Sequence, residues 1–135
     1  MVIRPYYSKE VIKRFTHPKN FGEIKKADGV GRVGNPRCGD IMKLYIKVEE
    51  RDGKEIIKDI KFNTLGCAAA IATSDMACDL VKGKTLKEAL KIDYKKIIKE
   101  LGDLPSIKIH CSVLAREGLK AAIKNYYERQ KKEKR

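Results

Sequence analysis

Apolar and polar residues alternate over residues 41–49. Met42, Leu44, Ile46 and Val48 fall on one side; Lys43, Tyr45, Lys47 and Glu49 fall on the other. A period of two predicts a half-buried strand. Asp52-Gly53 marks a hairpin turn. The strand that follows carries Ile56, Ile60 and Phe62 on one face, where Lys58 interrupts the pattern. Two registers compete. A two-residue turn at 52–53 sets Leu44 against Lys61 and mixes apolar with charged residues on one face. A three-residue loop at 51–53 sets Val48 against Ile56, Leu44 against Ile60 and Met42 against Phe62. Matching faces favours the second. Extended past the strand ends, it puts Cys38 opposite Gly66 and brings Cys38 beside Cys67.

Other stretches follow the helical period. Residues 7–15 predict a short helix with Ser8 as N-cap, Val11, Ile12 and Phe15 on one face, and Pro18 as its stop. Gly29, Gly31 and Gly34 around Val30 and Val33 suggest a short edge strand. After Cys67 a helix begins, with a stripe of Ala69, Ala72, Met76 and Leu80 and a stop at Gly83. Thr85-Leu86-Lys87-Glu88 fits a capping box. Residues 94–101 form another short amphipathic helix, and Leu104-Pro105-Ser106 breaks the chain. A long helix then runs from about Ser112 to Glu128, with Leu119, Ala122, Ile123 and Tyr126 as its apolar face and Ser112 available as its cap. Residues 129–135 read as a frayed basic tail, and no internal repeat is visible.

At 135 residues the chain reads as one domain, 1–135. A chain of this length buries roughly two-thirds of its unfolded surface, so it needs no metal merely to fold. Apolar content is 42%, and no apolar run approaches a membrane span. Met1-Val2-Ile3-Arg4 does not read as a secretory signal. These features predict a cytoplasmic protein, where four cysteines read as ligands or reactive thiols before they read as disulfides. Lys and Arg number 31 against 18 acids, a net charge of +13. That charge is spread through Lys-rich helices without a nucleic-acid-binding motif, which favours a solvated surface or an acidic protein partner over nucleic acid.

The candidate chemistry gathers in three places: Cys38-Gly39-Asp40 in a loop of turn formers, Gly66-Cys67, and His110-Cys111. Cys67 at a helix start meets the partial positive charge that favours a thiolate. Cys78 lies eleven residues further along the same helix, about 16 Å at 1.5 Å per residue, too far to share an ion with Cys67; it reads as a packing residue. His17, in a turn before Pro18, reads as a solvated loop residue. Three thiols, an imidazole and a carboxylate suit tetrahedral zinc or the iron of an iron–sulfur cluster. The cysteines come from three distant segments, each at the end of an element, and not from tight C-x(2–4)-C zinc knuckles. Five donors for four positions suit a site whose ligands exchange.

Gly34-Asn35-Pro36-Arg37-Cys38-Gly39-Asp40, Gly66-Cys67-Ala68-Ala69-Ala70-Ile71-Ala72-Thr73-Ser74, Val81-Lys82-Gly83-Lys84 and His110-Cys111-Ser112-Val113-Leu114-Ala115 resemble the IscU/NifU-type iron–sulfur cluster assembly scaffolds. His17-Pro18-Lys19-Asn20 extends the likeness to the amino end. The resemblance implies an α+β fold, with a three-stranded antiparallel sheet packed against about five helices, one of them a long C-terminal helix. It implies a carrier without turnover chemistry of its own, on which a [2Fe–2S] cluster is assembled and then passed to apo iron–sulfur acceptor proteins. The implied ligands of cluster, iron or zinc are Cys38, Cys67 and Cys111, with Asp40 and His110 as further ligands. The implied partners are a cysteine desulfurase and a ferredoxin or frataxin-like protein. A thiol that accepts sulfur from the desulfurase must be exposed and nucleophilic; Cys111, beside the proton-handling His110, is the first choice, and Cys38 the second. His110 and the uninterrupted stretch 83–104 set the chain apart from the zinc-dependent SufU-like branch. Ser106 replaces the second proline of the family's chaperone-docking motif, so docking of an Hsp70-type chaperone does not carry over. Tyr7 falls at the family's amino-terminal tyrosine, implicated in self-association as a homodimer.

Overall fold

The computed structural model describes residues 8–35, 40–102 and 109–133, with the side chains of Asn35, Asp40, His110 and Glu133 left aside. Along the chain run α1 (Lys9–Thr16), β1 (Gly29–Asn35), β2 (Asp40–Arg51), β3 (Lys54–Leu65), α2 (Ala68–Val81), α3 (Leu86–Leu90), α4 (Tyr94–Leu101) and α5 (Ile109–Glu133). The strands form one antiparallel sheet in the order β1-β2-β3. α2 and α5 cover one face of it, α1 packs on α2, and α4 packs on both long helices. This is the α+β arrangement that the resemblance implies.

The hairpin departs from the register that face-matching favours. Asp52 and Gly53 both have positive φ, 51° and 77°, so the turn has two residues, and Arg51 faces Lys54. Such a turn matches the right-handed twist of its strands, which a three-residue loop here would not need to do. The charged mismatch it seemed to force is removed by a β-bulge. Val48 pairs with Ile57 but Lys47 pairs with Asp59, leaving Lys58 as the extra residue, exposed to solvent. Beyond the bulge Leu44 faces Phe62 and Met42 faces Thr64. Lys58 is thus the bulge itself, and Ile57, not Ile56, enters the core beside Ile60 and Phe62. The expected pairing of Cys38 with Gly66 falls outside the described residues.

β1 is the edge strand, and α5 lies against it at close range. A Cβ on Gly31 would stand 2.3 Å from the Gly118 carbonyl oxygen, and one on Gly29 would stand 2.4 Å from that of Ala122. Gly29 and Gly31 of β1 are therefore needed for helix–sheet contact.

Three helices differ from the periodic reading. In α1, Ser8 caps as expected and accepts from the Val11 amide. Only Val11 is buried, while Ile12 and Phe15 are exposed. α2 is buried nearly all round from Ala69 to Cys78, far more widely than one stripe, because sheet, α1, α4 and α5 all pack on it. α5 begins three residues earlier than Ser112. Ser112 is no cap, and its hydroxyl donates back to the Ile109 carbonyl. α5 also continues to Glu133, so the stretch 129–133 is helical. The capping box of Thr85 and Glu88 forms as the sequence indicates.

A buried polar cluster ties α1 to α2. Asp75 is fully buried. Its carboxylate accepts from the Asn20 amide (2.8 Å), from Asn20 Nδ2 (3.1 Å) and from the Arg14 guanidinium (2.8 Å). Arg14 also donates to Asp79 and Glu10, and Asn20 Nδ2 to Asp79. Burial opposes ionisation of Asp79, but the hydrogen bonds from Asn20 and Arg14 outweigh it and hold that carboxyl below the usual carboxylate range. The Asn20 carbonyl in turn accepts from the Phe62 amide, and the Gly22 amide donates to the Phe62 carbonyl, so the segment before β1 is pinned to the free edge of β3.

Candidate metal centre

Cys67 occupies the N-cap of α2 with extended backbone, φ −77° and ψ 176°. Its sulfur makes no capping hydrogen bond. Cys111 sits in the first turn of α5. The two sulfur atoms are 3.9 Å apart, a thiol contact and not a disulfide of about 2.05 Å. Two thiolates on one tetrahedral ion, each bonded at about 2.3 Å, stand about 3.8 Å apart. The pair is therefore spaced to hold one ion. Two helix amino ends meet here, and each brings the partial positive charge that suits anionic sulfur.

The packing behind the pair is firm. The Thr73 hydroxyl donates to the Ala69 carbonyl at 2.7 Å and lies 3.3 Å from the carbonyl of Cys111, which clamps the start of α5 to α2. Ser74 donates to the Met42 sulfur at 2.9 Å and joins α2 to the central strand. Cys67 is half-buried, whereas Cys111 is 1% exposed. The exposure expected of a sulfur acceptor is thus met at Cys67 and not at Cys111, because the first turn of α5 is packed against α2.

The other expected donors are placed as follows. Asp40 opens β2 and pairs through its backbone with Asn35, and the next pair in the sheet is Ile41 with Leu65, two residues before Cys67. Asp40 thus begins its strand at the end of the sheet from which Cys67 emerges. His110 immediately precedes Cys111 in the first turn of α5. Cys38 lies outside the described residues, as do Tyr6, Tyr7 and the stretch 103–108. Among the described residues, no third His, Cys, Asp or Glu joins the thiol pair. His17 is exposed at the end of α1, with Nδ1 3.1 Å from the Thr16 hydroxyl. Cys78 is fully buried, and burial pushes its thiol well up from the usual range, as a packing residue requires.

Sequence reasoning missed two features of this end. Leu65 is 77% exposed and faces Ile41, also exposed, while Val113 is exposed two residues after Cys111. Leu65 and Ile41 thus form an exposed apolar pair at the end of the sheet from which Cys67 emerges. Leu65 stands where the alternation of the strand calls for a polar residue, and that signal was available. The Asp75 cluster was also missed, although two acids one turn apart within Ala-rich α2, Asp75 and Asp79, mark it.

Three comparisons bear on this arrangement. The family profile described as the NifU-like N terminal domain matches residues 6–133. The chain is 54% identical over 121 residues to the iron–sulfur cluster assembly scaffold protein IscU 1 of Archaeoglobus fulgidus, covering 90% of this chain and 76% of that protein. It is 46% identical over 124 residues to the scaffold protein IscU of Aquifex aeolicus, covering 92% and 78%. Among solved structures, it superposes with a TM-score of 0.68 and 27% identity on a putative iron–sulfur cluster assembly scaffold protein for the SUF system from Fervidobacterium islandicum AW-1, covering 87% of this chain and 96% of that one.

Proposed function

We propose, for a chain that belongs to the NifU-like N-terminal domain family of iron–sulfur cluster assembly scaffolds, that Cys38, Cys67 and Cys111 hold a nascent [2Fe–2S] cluster as cargo. Asp40 or His110 fills the fourth position. The observation that carries this reading is the 3.9 Å approach of Cys67 and Cys111 across two helix amino ends. Soft thiolates bind iron firmly, and zinc binds to the same set. A carboxylate or imidazole at the fourth position is a weaker, protonatable ligand and lets the cargo leave.

Sulfur arrives from a cysteine desulfurase as a persulfide. A thiolate of this chain attacks the outer sulfur, the donor's S–S bond breaks, and the donor leaves as a thiolate. Cys67, the more accessible of the paired thiols, is reached first. Cys111, its sulfur in contact, then takes the sulfane sulfur by the same exchange. His110 can take or give the proton at Cys111. The exposed apolar pair of Leu65 and Ile41, at the end of the sheet that leads into Cys67, supports docking of the desulfurase and of apo-acceptors beside the site. A ferredoxin or frataxin-like protein with an acidic surface suits the +13 chain. The chain acts as a carrier, without turnover of its own, in the reducing cytoplasm where its thiols persist. Among the described residues no helix is long and apolar enough to cross a membrane.

Anaerobic reconstitution with iron and sulfide tests this. Charge-transfer bands and a Mössbauer signature of a [2Fe–2S] pair are expected in the wild type and absent from Cys67→Ser and Cys111→Ser. A protein that takes up zinc but never cluster under these conditions would sink the scaffold reading.

A further inference from the structure

The thiol site uses only the first turn of α5. The outward face of the same helix, further along, has no role in it. That face carries Glu117, Lys120, Lys124, Tyr127, Glu128 and Lys131 at helical spacing, all exposed, with half-buried Ala121 among them. A groove of about 670 Å³ lies over it, bounded by Val33 and Leu90. Lys120, Lys124, Glu128 and Lys131 form no ion pair among the described residues. Among the described residues Glu117 forms an ion pair only with its neighbour Arg116.

We propose that this face of α5 binds the same face of a second copy, antiparallel, about a two-fold axis through Lys124. The charge order makes the face complementary to itself. In that register Glu117 meets the partner's Lys131, and Lys120 meets the partner's Glu128. Ala121 leaves a hollow beside Val33 for the partner's Tyr127, a large side chain that is ordered at low entropic cost. The symmetry repeats each pairing twice. Other arrangements lose this match. Parallel pairing about a two-fold sets every charge against itself. Sliding the antiparallel partner by three residues sets Glu117 against Glu128, and sliding it by four the other way sets Lys120 against Lys132. Lys124, on the axis, meets its own copy and weakens the pair.

The face from Glu117 to Lys131 spans about 21 Å. It falls below the roughly 800 Å² per partner of a standard interface, so the dimer is concentration-dependent. The two Cys111 positions then stand about 39 Å apart along the helix axis. Each thiol site stays open at its own end of the pair.

Sedimentation velocity of the full chain, across concentration at low and high salt, tests the proposal. A monomer–dimer equilibrium that weakens with salt is expected. Lys120→Glu and Glu128→Lys should each weaken it about tenfold, since either turns two exposed ion pairs into repulsions. The double variant should restore it, and Lys124→Ala should tighten it. All three positions are exposed, and circular dichroism checks that helix content is unchanged. A strict monomer at low salt, a dimer insensitive to the reversals, or a double variant without restoration would each overturn the proposal.

Discussion

Cys67 and Cys111 stand 44 positions apart in the chain and hold their sulfur atoms 3.9 Å apart. Neither residue reaches the other through its own helix. α2 and α5 lie side by side on the sheet with their amino ends level, and the Thr73 clamp keeps them so. The site is thus a consequence of two long helices starting at the same end of one sheet.

Cys67→Ser and Cys111→Ser should each abolish stable cluster, because a hydroxyl is a poor replacement for a soft thiolate. Cys78→Ser should keep it. Its thiol is buried in the core, so that substitution costs stability, about 1–3 kcal/mol for a buried hydroxyl without an ideal partner. Absorbance after anaerobic reconstitution, read beside a urea melt, separates the two effects. A Cys78→Ser protein that folds fully yet holds no cluster would contradict the assignment.

Much of this was legible in the chain. The strict alternation of residues 41–49 gives the central strand. The capping residues Ser8 and Thr85 and the positive-φ Gly83 give helix ends to within a residue or two. What failed failed for tertiary reasons. Face-matching assumed one continuous register, but Asp52-Gly53 fixes a two-residue turn and the bulge at Lys58 absorbs the mismatch. Ile12 and Phe15 follow the helical period yet are exposed, because α1 is held by Arg14 and Val11 and meets α2 on a narrow face. Of the donor set, the meeting of Cys67 with Cys111 could not be read from spacing, since it depends on how α2 and α5 align.

The contact of β1 with α5 predicts a sharp glycine requirement. A methyl group at Gly31 would lie 2.3 Å from the Gly118 carbonyl oxygen and 2.5 Å from the Ala122 amide nitrogen, both backbone atoms. Neither can rotate away, so Gly31→Ala should lower stability by about 1–3 kcal/mol through overpacking. Gly53→Ala is the comparison: it meets open space and suffers only from its φ of +77°, at about 1 kcal/mol. Urea unfolding of both variants decides. Equal stability of Gly31→Ala and wild type would mean that the helix sits further from the sheet.

Acid should act on the link between α1 and α2. The Asp79 carboxyl is held below its ordinary value of 3.8; burial works against this, and the hydrogen bonds from Asn20 and Arg14 prevail. A lowered carboxylate contributes fully above its unfolded value and loses its contribution as pH falls through its folded value. Asp79→Asn should therefore lower stability near neutrality and flatten the loss of stability below about pH 4. Thermal melts from pH 7 down to pH 2 report both. An unchanged acid limb would show that Asp79 contributes little to that loss.

The proposed role of Asp40 is to let the cluster leave, not to hold it. It opens β2, at the end of the sheet where Leu65 leads into Cys67. A carboxylate is a harder donor than thiolate and binds cluster iron less firmly, so water or an incoming thiol displaces it. If Asp40 fills the exchangeable position, Asp40→Ala should still assemble a cluster, with His110 taking the open place. It should then pass that cluster to an apo-ferredoxin more slowly, about tenfold on the scale of one lost weak ligand. A purely structural Asp40 would behave differently, since its loss would disturb the first pair of β2 with β1, Asp40 with Asn35. Melting temperature would drop while transfer from the surviving loaded protein stayed unchanged. Measuring melting and transfer on the same preparation tells these apart. Faster transfer, or failure to assemble, would make Asp40 a holding ligand and move the labile position to His110.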